Sequence, residues 1–316
     1  MLAHAPSSLG ADGDGSGILQ DEITFQLIAG GAVWLLVLGI LVAIVLRQRR
    51  RRSAGPPQPE DQVGHRWIWI GGVVLPLIVL TAVLGWSAHS FSAFAGGGDR
   101  PVLTVEVIAH RWWWEVRYLG EFEDAVTANE LVLPVGQPLE LKLRTDDVIH
   151  AFWVPELDRK IDVIPGEEHS LHLVADKPGT YRGECVEFCG LQHARMAFRV
   201  TAVAPDQFAD WLARETGKAE EPDTAAERRG KQVFLSSTCA ACHTIRGAGA
   251  AGQVGPDLTH LATRASIAAE TLPNTRGGLS GWISDPQGIK RGVHMPRSQL
   301  PGDQLQDLVT YLESLR

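Results

Sequence analysis

Four cysteines occur in 316 residues, and they fall in two tight pairs, each followed closely by a histidine. The first set is Cys185, Cys189 and His193, with Met196 three residues on, in the stretch CVEFCGLQHARM. Two thiols, an imidazole and a thioether on one short loop form a soft donor set, which favours copper over hard cations. His150, in DVIHAFWVP, offers a further imidazole upstream. A Cys185–Cys189 disulfide or a zinc site would use the same cysteines. Neither gives Met196 a role, so the balance favours copper. The second set is Cys239-Ala240-Ala241-Cys242-His243, the CxxCH pattern of covalent haem attachment. A redox dithiol or half of a zinc site leaves the adjacent His243 without purpose. Met295 is the only methionine after residue 224 and is the expected sixth ligand, with His260 and His294 as competitors. A Met/His pair raises the haem potential, as an electron carrier needs.

Three kinds of element must position these groups. Ile23–Leu46 is a 24-residue run without a charge, and Trp67–Trp86 is a 20-residue run whose only clearly polar side chain is Thr81. At 1.5 Å per residue, ~20 residues span the ~30 Å hydrocarbon core, so two membrane helices are predicted, at about 23–46 and 67–90. Trp67, Trp69 and Trp86 sit near the ends of the second run, as interfacial aromatics do. Arg47, Arg49, Arg50, Arg51, Arg52 and Arg66 lie between the runs, whereas residues 1–46 hold no lysine or arginine. The positive-inside rule then puts the intervening loop in the cytoplasm and both termini outside. The first run has no basic region before it and is too long for a cleaved signal, so it reads as an anchor.

Beyond the anchor, short β-type runs recur: Val102–Ile108, Leu131–Val135, Leu139–Leu143, His169–Val174 and Ala197–Val203. Strands of this length and spacing predict an all-β sandwich or Greek-key module, with the sulfur loop between its last two strands. Pro205–Thr216 reads as an amphipathic helix, 217–224 (GKAEEPDT) as a polar linker, Ala225–Ser236 and Pro301–Leu315 as helices of a second, small module. The charge is 29 basic against 37 acidic groups, net −8, which excludes a generic nucleic-acid binder. Residues 99–223 carry −11 and residues 224–316 carry +3. That contrast predicts two modules guided together by charge.

Over residues 20–216 the chain resembles subunit II of the haem–copper cytochrome c oxidases. The resemblance rests on the two-helix anchor, HRWWWEVRY, DVIHAFWVP, KIDVIPG and the Cys-x-Glu-x-Cys-Gly-x-x-His-x-x-Met loop. That loop is otherwise similar mainly to the related domain of nitrous oxide reductases. The resemblance implies a multi-domain membrane protein: a transmembrane α-helical hairpin, a cupredoxin-like domain and a C-terminal all-α class I cytochrome c domain. The implied divisions are 1–98 for the anchor, 99–216 for the cupredoxin domain, 217–224 for the linker and 225–316 for the cytochrome. It implies a binuclear CuA centre: Cys185 and Cys189 bridging both coppers, His150 and His193 terminal, Met196 a weak ligand and the Glu187 carbonyl on the other ion. It further implies that the Glu187 carboxylate reaches a Mg²⁺ shared with subunit I, and that electrons come in at Trp112. The family usually has Gln-Trp-Tyr-Trp here, so Arg111 and Trp113 depart from it. Gly255-Pro256-Asp257-Leu258 is similar to the loop of class I cytochromes c in which the Pro256 carbonyl would accept the His243 ring N–H. The implied haem c is one covalent group on Cys239 and Cys242, with His243 and Met295 axial. The implied partners are subunit I, subunit III, an upstream cytochrome c or bc-type complex and the lipids of a bacterial plasma membrane. Glu60, Asp61 and His65 all lie near the proton-uptake position of the family.

Overall fold

A computed structural model of the chain describes residues 7, 10–51, 61–95, 100–122 and 125–316. Glu60 and Arg52 lie outside the described residues. The chain divides into two units, Gly17–Gly97 and the remainder.

In the smaller unit the first apolar run lies within helix α1, Asp14–Arg51, and the second within α2, Asp61–Trp69, and α3, Leu75–Ala95. Mean hydropathy reaches 2.7 in Asp14–Arg50 and 2.4 in Gly64–Ser92, enough for each to cross a bilayer core. Between α2 and α3 the helix widens into a π turn over Ile70–Val74, where the sequence predicts an uninterrupted helix. The cause is Pro76: it has no N–H to donate, and its ring would meet the carbonyl four residues back, which the wider turn avoids. Phe25 stacks on Trp86 at 4.8 Å, and the Glu22 carboxylate accepts from Ser87 Oγ and Gln26 Nε2 at 2.5 and 2.7 Å.

The β-module consists of β1 Leu103–His110, β2 Trp113–Tyr118, β3 Val126–Ala128, β4 Glu130–Pro134, β5 Leu139–Thr145, β6 His150–Trp153, β7 Ile161–Val163, β8 His169–Leu173, β9 Gly179–Cys185 and β10 Ala197–Val203. They form two five-stranded sheets, ordered β3-β2-β1-β5-β8 and β4-β10-β9-β6-β7. The β1–β5 and β10–β4 pairs are parallel and the rest antiparallel, the mixed pairing of a cupredoxin-like Greek key. Alternation sets the core. In β5, LELKLRT, every second residue from Leu139 is buried. Tyr118 crosses between the sheets: its hydroxyl donates to the Val132 carbonyl (2.7 Å) and accepts from the Val132 N–H (2.8 Å). Helix α4, Pro205–Glu215, packs Trp211 and Phe208 on Tyr118.

The helical module runs α5 Ala225–Ser236, α6 Cys239–Cys242, α7 Arg276–Ser284, α8 Pro286–Ile289 and α9 Gly302–Ser314. Two small hairpins are interleaved, Thr244–Ile245 with Ala250–Ala251 and Ser266–Ile267 with Leu272–Pro273. Thr224 caps α5 reciprocally with Glu227, as a capping box does. Helices α5 and α9 cross at Gly230, where a side chain would overlap the Asp307 carbonyl and lie 2.6 Å from Tyr311 Cβ. Residues 217–224, read from sequence as a polar linker, are hydrogen-bonded to this module. The Ala219 N–H donates to the Arg246 carbonyl (2.9 Å), and the Gly217 carbonyl lies 3.1 Å from His260 Nε2.

Gly230→Ala should destabilise the helical module by about 1–3 kcal/mol, since the crossing has no room to give; an unchanged thermal midpoint would refute the close approach. Asp158 is 5% exposed, and burial pushes its carboxyl up to about 6 despite hydrogen bonding from Arg159. Because the folded state holds that proton more tightly than the unfolded chain, stability should fall as pH rises from about 4 through 6. Asp158→Asn should flatten that slope and raise the midpoint at neutral pH, read by thermal melts across the pH series.

Candidate metal centres

The end of β9 and the loop after it bring the first donor set together. Cys185 closes β9, and the chain turns through Gly190 (φ +111°) and a short 3₁₀ turn, His193–Arg195, before β10. Cys185 Sγ lies 3.8 Å from Cys189 Sγ and 3.8 Å from His150 Nδ1. Cys189 Sγ lies 3.7 Å from His193 Nδ1 and 3.8 Å from Met196 Sδ, and the Glu187 carbonyl is 3.3 Å from Cys185 Sγ. All four cysteines are free, and a sulfur separation of 3.8 Å excludes a disulfide, which needs ~2.05 Å. Donors at these separations can share ions ~2.0–2.3 Å from each, so the residues fit a soft metal centre. The thiols are electrostatically unequal. Hydrogen bonding from Cys189 lowers the Cys185 thiol and so favours its thiolate form. The neighbouring thiolate and burial raise Cys189.

Sequence reasoning missed Asp147. Its carboxylate accepts from the Arg111 N–H (2.7 Å), the Val148 N–H (2.6 Å) and His150 Nε2 (2.8 Å), while the Arg111 guanidinium Nε lies 3.4 Å away. Burial opposes its charge, but those hydrogen bonds prevail and hold it well below the usual carboxylate range. The bond to Nε2 fixes the ring so that Nδ1 faces the sulfurs. The signal was present in sequence as an acid three residues before His150. The Glu187 carboxylate lies 4.0 Å from the Lys160 ammonium and is 45% exposed.

The second donor set lines a cavity of about 290 Å³ in the helical module. Cys239, Cys242, His243 and Met295 all face it, with Phe234 and Trp282 among its apolar walls. The His243 Nδ1–H donates to the Pro256 carbonyl at 2.8 Å, as the loop resemblance implies, and leaves Nε2 toward the cavity. Burial lowers the His243 pKa and keeps the ring neutral for metal binding. Gly255 must be glycine: a Cβ there would lie 2.6 Å from the imidazole. These residues fit a covalently held haem. His294 also lines the cavity; His260 instead turns to Gly217, which leaves Met295 and His294 as contenders.

One side of this cavity is closed by the β-module, through His110, Arg111, Trp112, Trp113 and Asp147. Trp112 and Trp114 are both buried but diverge. Trp114 packs in the core against Phe152 and Phe198, whereas Trp112 precedes β2 and lies between the two donor sets. The Trp112 Nε1–H donates to the Cys189 carbonyl at 2.9 Å, and its ring lies 6.4 Å from that of His294. The contact between the modules follows their net charges only in part: Glu130 and Glu215 of the acidic module face Arg264 of the basic one. Arg199 of the acidic module pairs there with Glu270 of the basic one, at 3.2 Å.

Two membrane-length helices, a cupredoxin-like module with a soft-donor loop and a helical CxxCH module define a membrane-bound electron-transfer protein of the haem–copper oxidase class. Residues 118–203 match the family model for the periplasmic domain of cytochrome c oxidase subunit II, and residues 227–316 match that for cytochrome c. Cytochrome c oxidase subunit 2 of Alkalihalophilus pseudofirmus is 32% identical over 304 residues, covering 94% of this chain and 87% of the relative. That of Bacillus subtilis is 25% identical, covering 88% and 82%. A solved structure, the periplasmic domain of cytochrome oxidase subunit II from Bradyrhizobium japonicum, is 28% identical, covers 37% of this chain and 95% of that one, and has a TM-score of 0.34. The chain belongs to the cytochrome c oxidase subunit 2 family and carries a cytochrome c domain. Those two domains imply copper and haem c binding, and membership implies a partner subunit I.

Removing the Asp147 carboxylate should weaken the sulfur cluster. Asp147→Ala is expected to lower copper affinity about 10–100-fold in a titration of the metal-free protein. Unchanged affinity would show that the carboxylate does not orient His150.

Proposed function

We propose that the chain is the electron-receiving subunit of an aerobic respiratory oxidase with its own tethered cytochrome c. An electron delivered to the helical module crosses by way of Trp112 to the sulfur loop and leaves for the haem of subunit I. Reduction of O₂ to water, coupled to proton translocation, takes place in that partner and not in this chain. The observation that carries the reading is the position of Trp112, hydrogen-bonded to the Cys189 carbonyl and lining the cavity that holds His243 and Met295.

The proposed ligands of a binuclear CuA centre are His150, Cys185, the Glu187 carbonyl, Cys189, His193 and Met196. Cys239 and Cys242 would hold haem c covalently, and His243 and Met295 would supply its iron ligands. When bound, the two groups would supply one-electron carriers, the copper pair sharing its charge over two ions. The protein's own residues limit what must move: Asp147 holds the His150 ring, the Pro256 carbonyl holds His243, and Trp112 excludes water between the sets. The exposed Glu187 carboxylate is open to a Mg²⁺ shared with subunit I. The proposed organisation is 1–98 anchor, 99–216 copper module, 217–224 connector and 225–316 haem module. The arginines between the membrane helices support a bacterial plasma-membrane hairpin with both termini outside. An upstream cytochrome c or bc-type complex would be the donor, and subunit III a further neighbour.

Cys185→Ser should abolish the binuclear copper absorption while leaving haem c intact; two coppers with a mixed-valence spectrum in that variant would overturn the ligand set. Met295→Ala should keep the haem covalently attached, lower its potential and remove the Met–iron charge-transfer band in the red. Survival of that band, or its loss in His294→Ala instead, would reassign the axial ligand.

A further inference from the structure

Lys290 follows α8 and is 1% exposed, yet its ammonium is met by backbone carbonyls rather than by a carboxylate. Its Nζ donates to the Trp112 carbonyl of the copper module at 2.9 Å and to the Ala268 carbonyl of the haem module at 3.1 Å. Of the charged groups around it, Arg195 on the sulfur loop opposes the ammonium. Burial brings Lys290 down to about 7, a cost in solvation that an apolar side chain of equal length would not carry, while the two hydrogen bonds hold the amine in place.

Its second acceptor is also held at a cost. Ala268, Ala269 and Glu270 are three consecutive non-glycine residues with φ of 56°, 56° and 61°. Left-handed backbone is strained at residues that carry a Cβ. The turn so formed aims the Ala268 carbonyl at Lys290 and sends the Glu270 carboxylate to Arg199 of the copper module, with Ser266 Oγ donating to it at 2.6 Å. Around this pair, Gln192 Nε2 donates to the Arg291 carbonyl (2.7 Å), the Arg195 guanidinium donates to the Ile289 carbonyl, and the Ala265 N–H donates to Glu130 Oε1 (2.9 Å). A buried ammonium with one acceptor from each module, beside a strained turn that supplies both an acceptor and an ion-pair partner, fixes a register rather than merely filling space.

We propose that Lys290 and the Ala268–Glu270 turn form a latch that seats the haem module on the copper module in one register, with Lys290 the positioning residue for Trp112. This rests on the electron path proposed above. Trp112 is thereby gripped at both ends, its ring by the Cys189 carbonyl and its own carbonyl by Lys290.

The test uses the full chain in detergent and two readouts. Lys290→Met should raise amide hydrogen exchange across 110–113 and 266–272 by about tenfold or more, the loss expected for a buried charge-assisted donor. The same variant should slow internal electron transfer after a reducing pulse about tenfold or more, with both metal spectra unchanged. The single variants Arg199→Glu and Glu270→Arg should show the same loss, and the double variant should recover most of it. Wild-type exchange and wild-type transfer rate in Lys290→Met, or no recovery in the charge swap, would overturn the latch. Hydrogen exchange needs no metal, so absence of copper or haem signals in the wild-type chain would count against the proposed function and leave the latch to be judged on exchange alone.

Discussion

The Asp147 carboxylate ties together the two halves of the proposed electron path. It receives His150, which completes the sulfur cluster, and it receives the Arg111 N–H, which sets the segment that presents Trp112. His150 opens β6 and Arg111 follows the end of β1, so the two groups sit at strand ends in different sheets. A half-buried carboxylate with several N–H donors is a strong restraint because leaving any donor unpaired costs about 1–3 kcal/mol. The sandwich supplies the strand ends, and Asp147 turns them into a fixed separation between the sulfur loop and the indole.

The second constraint is close approach in the helical module. Gly230 lets α5 and α9 cross, and Gly255 lets the Pro256 loop come against the His243 ring. Each glycine stands where a single added carbon would collide with the backbone or with the imidazole itself. The cavity lined by His243 and Met295 therefore depends on positions that carry no chemistry of their own.

Much of the site was legible because its donors are local. Four side-chain donors lie within CVEFCGLQHARM, and CxxCH is contiguous, so spacing alone exposed both. The membrane runs were legible because an uncharged stretch of that length matches the thickness of a bilayer core. The π turn was not, since hydropathy is blind to the missing N–H of Pro76. Lys290 was illegible: a lysine in PQGIKRGVH reads as a solvated loop residue until another module supplies its acceptors. Net charge foretold only part of the contact. Glu130 and Glu215 face Arg264 as the opposite totals of the modules suggest, whereas the Arg199–Glu270 pair is reversed, because contact polarity is set by a few residues and not by a sum. The polar stretch 217–224 read as a linker since composition does not reveal that its backbone is hydrogen-bonded to Arg246 and His260.

The central claim is that haem c and the copper pair exchange electrons within one chain, across Trp112. Time-resolved absorption of the intact protein after rapid partial reduction tests it most directly. The haem is predicted to reoxidise and the copper band to bleach with one shared time constant, and that constant should not change with protein concentration. A rate that rises in proportion to concentration, or a copper band that stays still while the haem reoxidises, would contradict it.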